Sequence, residues 1–170
     1  LAPELVDQLS LYATLCLLPL TVFAGWLSDQ VGRKPVVVSG LLLGALMMLP
    51  TFYALQYFGS QYLALSRQEN ILLIGLLLTG LSLALALVVG PQTALLAELF
   101  PAKTRNSAAT LPHNLAAGWI GGLLPLIVTW LNQYWESNIA GLWYPTIFLA
   151  SGAVVAILYL PETGKTDLLH

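Results

Sequence analysis

An all-α, polytopic membrane helical bundle is expected from three observations. Of the 170 residues, 58 % are hydrophobic and only 8 % charged, with a mean hydropathy of +0.80; a soluble domain carries roughly a quarter charged residues. The apolar residues fall into five long runs, at about 9–27, 35–58, 71–97, 107–131 and 141–160, and about twenty such residues cross roughly 30 Å of hydrocarbon as a helix. The runs are continuous, without the alternation of a membrane barrel, and lipid offers no partner to an unpaired backbone.

Each run carries its own marks. The first follows Glu4 and Asp7 and contains Pro19 and Cys16, which reads as a small apolar filler because a lone cysteine has no partner for an internal disulfide. The second opens at Pro35, carries Gly40 and Gly44 on one face and is interrupted at Pro50. Gly90 and Pro91 break the third. The fourth holds Pro112, Gly118, Gly122 and Pro125, and the fifth holds Pro145. Prolines inside membrane helices are tolerated where neighbours or water satisfy the freed carbonyls, and glycines four apart let another helix approach. Together they predict a bundle that bends.

The chain opens on Leu1, without Met or a basic leader, and this is read as a fragment whose upstream part is missing. The short polar tail, 161–170, is read as a natural end. Arg33, Lys34, Lys103, Arg105 and Lys165 fall on one side of the membrane and only Arg67 on the other, so the five-base side is expected to be cytoplasmic, with the C-terminus inside. Tyr53, Tyr57, Phe58, Tyr62, Tyr134, Trp135, Trp143 and Tyr144 crowd the opposite side as an interfacial belt.

Three charged clusters share the cytoplasmic side. Gly25, Trp26, Leu27, Ser28, Asp29, Gln30, Val31, Gly32, Arg33 and Lys34 form the densest. Asp29 and the bases after it suit a topology signal and helix caps, whereas Gly25 and Gly32 point to close approach and a sharp reversal before Pro35 begins the next helix. Glu98 stands at the end of the third span, where a lone carboxylate is costly, so it needs a cation such as Arg33 or Arg105. Pro161, Glu162 and Thr163 add another acid after the fifth span.

These motifs resemble the major facilitator superfamily of secondary transporters. Gly25, Leu27, Ser28, Asp29, Gly32, Arg33, Lys34 and Pro35 are similar to its hallmark loop, here between the eighth and ninth helices. Glu98, Phe100, Pro101 and Arg105 resemble the loop between the tenth and eleventh, and Pro161–Thr163 the segment after the twelfth. The resemblance implies that residues 1–170 are a partial C-terminal half, helices eight to twelve of twelve. Asn114, Leu115, Gly118, Gly121, Gly122, Pro125, Leu126 and Ile127, following 97–105, resemble most the metabolite:proton symporters of proline, betaine and small carboxylates. Sugar porters share the glutamate-to-arginine and Pro161–Thr163 elements, and His113 departs from the symporters' more usual tyrosine.

The resemblance implies proton-coupled symport of a small polar metabolite by alternating access, in a bacterial inner membrane, with a sugar porter or a non-transporting membrane component as alternatives. It implies a cytoplasmic gating network of Asp29, Arg33, Lys34, Glu98, Arg105 and Glu162, with Lys34 mainly setting topology and Asp29 facing a helix of the missing N-terminal half. The first, third and fourth spans are expected at the cavity and the second and fifth toward lipid. Gln92, Thr93, His113 and Asn114 then become substrate-path candidates, with Trp119 as an aromatic wall for a quaternary amine. Only His113 and Glu98 offer exchangeable protons at the spans. No Ser/His/Asp set, metal-ligand spacing or phosphate loop stands within them, so no enzyme, cofactor or metal is expected, and the dispersed bases give no support to nucleic-acid binding.

Overall fold

A computed structural model describes residues 3–61, 67–100, 110–111 and 113–163. Five helices among them are long and apolar enough to cross a membrane. We label them α1 (Pro3–Val31), α2 (Arg33–Gln61), α3 (Arg67–Leu99), α4 (His113–Tyr134) and α5 (Trp143–Tyr159), the last preceded by a 3₁₀ turn at Ala140–Leu142. Residues 107–109, expected to open the fourth span, lie outside the described residues, as do Pro112, Tyr62, Lys103, Arg105, Lys165 and the tail beyond Thr163.

The first connection is tighter than expected. Helix α1 runs past Leu27 to Val31, and α2 begins at Arg33, so Gly32 alone separates them. The Gly32 N–H still donates to the Ser28 carbonyl at 3.1 Å, which extends the helical ladder to that point. A φ of +114° at Gly32 then reverses the chain, a conformation that favours glycine because it has no Cβ. Pro35 does not start α2 but occupies its third position, where a missing N–H costs no helical bond. Pro145 also falls in a first turn, that of α5, so it does not interrupt the helix. Pro19, Pro50, Pro91 and Pro125 do lie inside helices.

Helix α3 is the centre of the packing, held between α1 and α2, while α2 also packs on α5. The crossings are made at glycines. A Cβ on Gly90 would lie 2.7 Å from the Thr21 carbonyl oxygen and 2.9 Å from the Gly25 nitrogen, so α1 and α3 touch backbone to backbone. A Cβ on Gly40 would lie 2.8 Å from Leu87 Cβ and 3.0 Å from the Ala84 carbonyl oxygen. The buried core is correspondingly small-sided, with Ala24, Ala84, Ala86 and Ala153 beside Ile74 and Val36, as expected where close packing rather than water exclusion joins helices.

Helix α4 departs from this pattern, because no residue from 113 to 134 is buried. Among the described residues, a Cβ on Gly118 or Gly122, expected to face another helix, would have nothing within 4 Å, and α4 meets the other described helices mainly through the turn to α5. There the Asn132 carboxamide oxygen accepts from the Gly141 N–H at 2.7 Å, and Gly141 lies directly against the Val128 carbonyl. The stretch Ala116–Gly121 is a π-helical turn, in which the Gly122 N–H reaches back to the Ala117 carbonyl. Pro125 has no N–H for the Gly121 carbonyl, and the wider turn stands immediately ahead of that gap.

Candidate functional site

The turn at Gly32 places Arg33 on the first position of α2, facing the end of α3. Its guanidinium donates from Nε to Glu98 Oε1 at 3.3 Å and from Nη2 to the same oxygen at 3.1 Å. Nη1 donates to the Ser28 hydroxyl at 2.6 Å and pairs with Asp29, four residues back on the last turn of α1. The Ser28 hydroxyl in turn donates to the Gly25 carbonyl at 2.7 Å, fixing its lone pair toward Arg33. One planar, five-donor cation thus gathers α1, α2 and α3 at a single point, a task the point charge of lysine does not match.

A third acid binds the backbone of the turn. Glu162, two residues beyond the end of the α5 ladder, accepts from the Arg33 N–H at 2.8 Å and the Lys34 N–H at 3.2 Å. These are orphan donors of the first turn of α2, and a carboxylate there also meets the positive end of the helix dipole. Thr163 donates its hydroxyl to Glu98 Oε2 at 2.6 Å. The segment after α5 therefore closes on both Arg33 and its partner.

Burial divides the cluster. The side chains of Arg33 and Glu98 are 11 % and 10 % exposed, whereas Asp29 is 60 % exposed. Removing one member of a buried ion pair costs about 3–5 kcal/mol because the other charge is left stranded. An exposed pair such as Asp29 with Arg33 contributes about 0.2–1 kcal/mol. Arg33 with Glu98 is accordingly the structural centre, and Asp29 is the member open to a further partner.

Of the residues expected in the charge network, Asp29, Arg33, Glu98 and Glu162 come together, and Lys34 contributes its backbone N–H. Arg105 lies outside the described residues. Sequence reasoning left open whether Arg33 or Arg105 faces Glu98, and Arg33 does. It missed Ser28 and Thr163 as members. Both were quoted in motifs, but a hydroxyl next to a charge in sequence carries no signal of which charge it will bond.

Four of the five substrate-path candidates form two pairs, and Thr93 stands apart from both. Gln92 Nε2 on α3 lies 3.2 Å from His113 Nδ1 at the start of α4, linking the two helices. Asn114 and Trp119 line a shallow cleft of about 590 Å³ with Thr110, Leu111 and Leu115, and Thr93 is exposed on α3. At the opposite end of the bundle, Tyr53, Tyr57, Tyr134, Trp135 and Trp143 are all exposed.

The chain matches the Major Facilitator Superfamily over residues 4–168. It is 32 % identical over 149 residues to the ectoine/proline transporter ProP of Corynebacterium glutamicum, covering 86 % of this chain and 27 % of that protein. It is 33 % identical over 145 residues to the inner membrane metabolite transport protein YhjE of Escherichia coli, covering 85 % and 30 %. With the glycine betaine/proline/ectoine/pipecolic acid transporter OusA of Dickeya dadantii it shares 30 % over 151 residues, covering 85 % and 26 %. The chain thus spans under a third of the length of these relatives, and no solved structure matches it. With five membrane-length helices and a match along nearly its whole length, this integral membrane protein belongs to the Major Facilitator Superfamily.

Proposed function

We propose that this chain is part of a proton-coupled symporter for a small polar metabolite, either proline- or betaine-like or a small carboxylate, and that Asp29, Arg33, Glu98 and Glu162 form a latch at its cytoplasmic face. The observation that carries the reading is the convergence of α1, α2, α3 and the segment after α5 on the Arg33 guanidinium and its neighbouring N–H groups. Two helical halves rocking about a central site need charged contacts at the closed face that form in one state and part in the other. Asp29, exposed at the rim of the cluster, is suited to reach a helix of the other half.

The positive-inside count supports a cytoplasmic position for this face, and the bacterial relatives favour an inner membrane. Relatives named for proline, ectoine and betaine transport support the substrate class. His113, hydrogen-bonded to Gln92, is the titratable group of α4 best placed to take part in proton coupling, with further coupling acids in the remaining helices. Asn114 and Trp119 are proposed to wall the substrate path. Arg105 is retained as a further member of the latch on the resemblance alone.

The test is uptake of radiolabelled L-proline and glycine betaine by cells expressing the full-length transporter with Asp29→Asn. Loss of uptake with normal membrane insertion is the expected result. Wild-type uptake by that variant refutes the latch, and uptake unaffected by a protonophore refutes proton coupling.

A further inference from the structure

The halves of α1 and α3 remote from Arg33 flank a cleft of about 830 Å³ that runs from their far ends to Leu20 and Leu83 near mid-helix. Tyr12 lies twenty residues before Gly32, about 30 Å along the helix at 1.5 Å per residue. Leu9, Leu72, Leu76 and Leu83 make an apolar wall, and the polar groups on the lining are Gln8, Tyr12 and Thr79. Among the described residues, no charged side chain lines it. An apolar cleft with a few convergent polar groups is the usual form of a small-molecule site.

The hydroxyl protons of this cleft can be assigned. Thr79 donates to the Gly75 carbonyl at 2.8 Å, which uses its only proton. The Tyr12 hydroxyl lies 3.2 Å from Thr79 Oγ1, so in that pair Tyr12 is the donor and Thr79 the acceptor. With its proton committed, the Tyr12 oxygen offers the cleft only lone pairs. The phenol ring beside it offers a negative face to a cation.

We propose that this cleft binds small organic ammonium groups bearing an N–H, which donate to the Tyr12 oxygen while lying against its ring. This rests on the reading that the protein carries a proline-like solute, and it adds a binding position near the opposite membrane face from the charge cluster. A quaternary ammonium gains the ring contact but has no proton for the oxygen, so the cleft discriminates in favour of secondary amines. Thr79 is a positioning residue, because it keeps the Tyr12 proton turned away from the cation.

The test is equilibrium binding of pyrrolidinium and tetramethylammonium to the purified full-length transporter, together with uptake of L-proline. Wild type is expected to bind pyrrolidinium more tightly, and Tyr12→Phe to weaken pyrrolidinium roughly tenfold, as expected for loss of a charge-assisted hydrogen bond, while leaving tetramethylammonium within about twofold. Thr79→Val is expected to weaken pyrrolidinium and Thr79→Ser to retain it. Pyrrolidinium binding that is absent from the wild type, or unchanged in a well-behaved Tyr12→Phe protein, overturns the inference and leaves the cleft to an acyl chain or another helix. Binding that follows this pattern without any L-proline uptake instead refutes the transport reading and leaves the site standing.

Discussion

Replacing Gly32 by alanine is the sharpest perturbation of the proposed latch, because two separate penalties meet at one methyl group. The first is conformational: φ at Gly32 is +114°, a region that costs a side-chain-bearing residue about 1–3 kcal/mol. The second is steric. The new Cβ would stand 2.7 Å from Glu162 Oε2 and 2.8 Å from its Cδ. That carboxylate is not an idle chain end, because the Arg33 and Lys34 N–H groups hold it at 2.8 and 3.2 Å. It must leave to admit the methyl, and losing a capping carboxylate costs about 0.5–2 kcal/mol. Gly32→Ala is therefore expected to destabilise by roughly 1.5–5 kcal/mol. Thermal unfolding of the purified full-length protein in detergent, followed by tryptophan fluorescence, gives the comparison. In a Glu162→Ala background the same substitution should cost only the conformational part, and the difference between backgrounds measures the contact. Wild-type melting of Gly32→Ala refutes both components, and an equal cost in the two backgrounds refutes the carboxylate contact.

Two further outcomes follow from burial and packing. Glu98→Ala is expected to cost about 3–5 kcal/mol by stranding Arg33, and Asp29→Ala less than about 1 kcal/mol, so melting temperatures should fall in that order; the reverse order contradicts the assignment of Arg33 with Glu98 as the centre. Gly90→Leu places a side chain into the Thr21 carbonyl and the Gly25 nitrogen, both backbone atoms that cannot yield, so folded protein recovered by size-exclusion chromatography should fall steeply, whereas Gly118→Leu on the open face of α4 should leave the yield near wild type.

Much of this architecture was legible in the sequence because the signals were one-dimensional. Span length and the charge gaps follow from hydrocarbon thickness, and Gly40 and Gly44 announce a close face that α3 and α5 do approach. Turn geometry was less legible: Pro35 looks like a helix start, yet the Gly32 N–H bond to Ser28 and the positive φ let α2 begin two residues earlier. Gly118 and Gly122 show the limit of spacing as a signal, since identical spacing meets α3 in one helix and, among the described residues, nothing in another. At the site, the charges could be listed but not paired. Which acid faces the guanidinium and which caps the helix depends on where residues 129 apart in sequence end up, as Arg33 and Glu162 do.

The same contacts also determine what can move. Gly25 with Gly90 and Gly40 with Ala84 join α1, α3 and α2 at backbone distance, and close-packed interfaces of this kind shift as units rather than deforming continuously. The Arg33 cluster sits at the end of that three-helix unit, so a pull on Asp29 from outside the chain would pass to all three helices together. Helix α4 is not part of the unit. It is tied by the Gln92–His113 hydrogen bond at one end and the Asn132–Gly141 turn at the other, with a π-helical turn and Pro125 between. Among the described residues, α3 and α4 meet at the Gln92–His113 hydrogen bond, whereas α3 meets α1 and α2 through packed crossings, so His113 is where the two groups of helices touch.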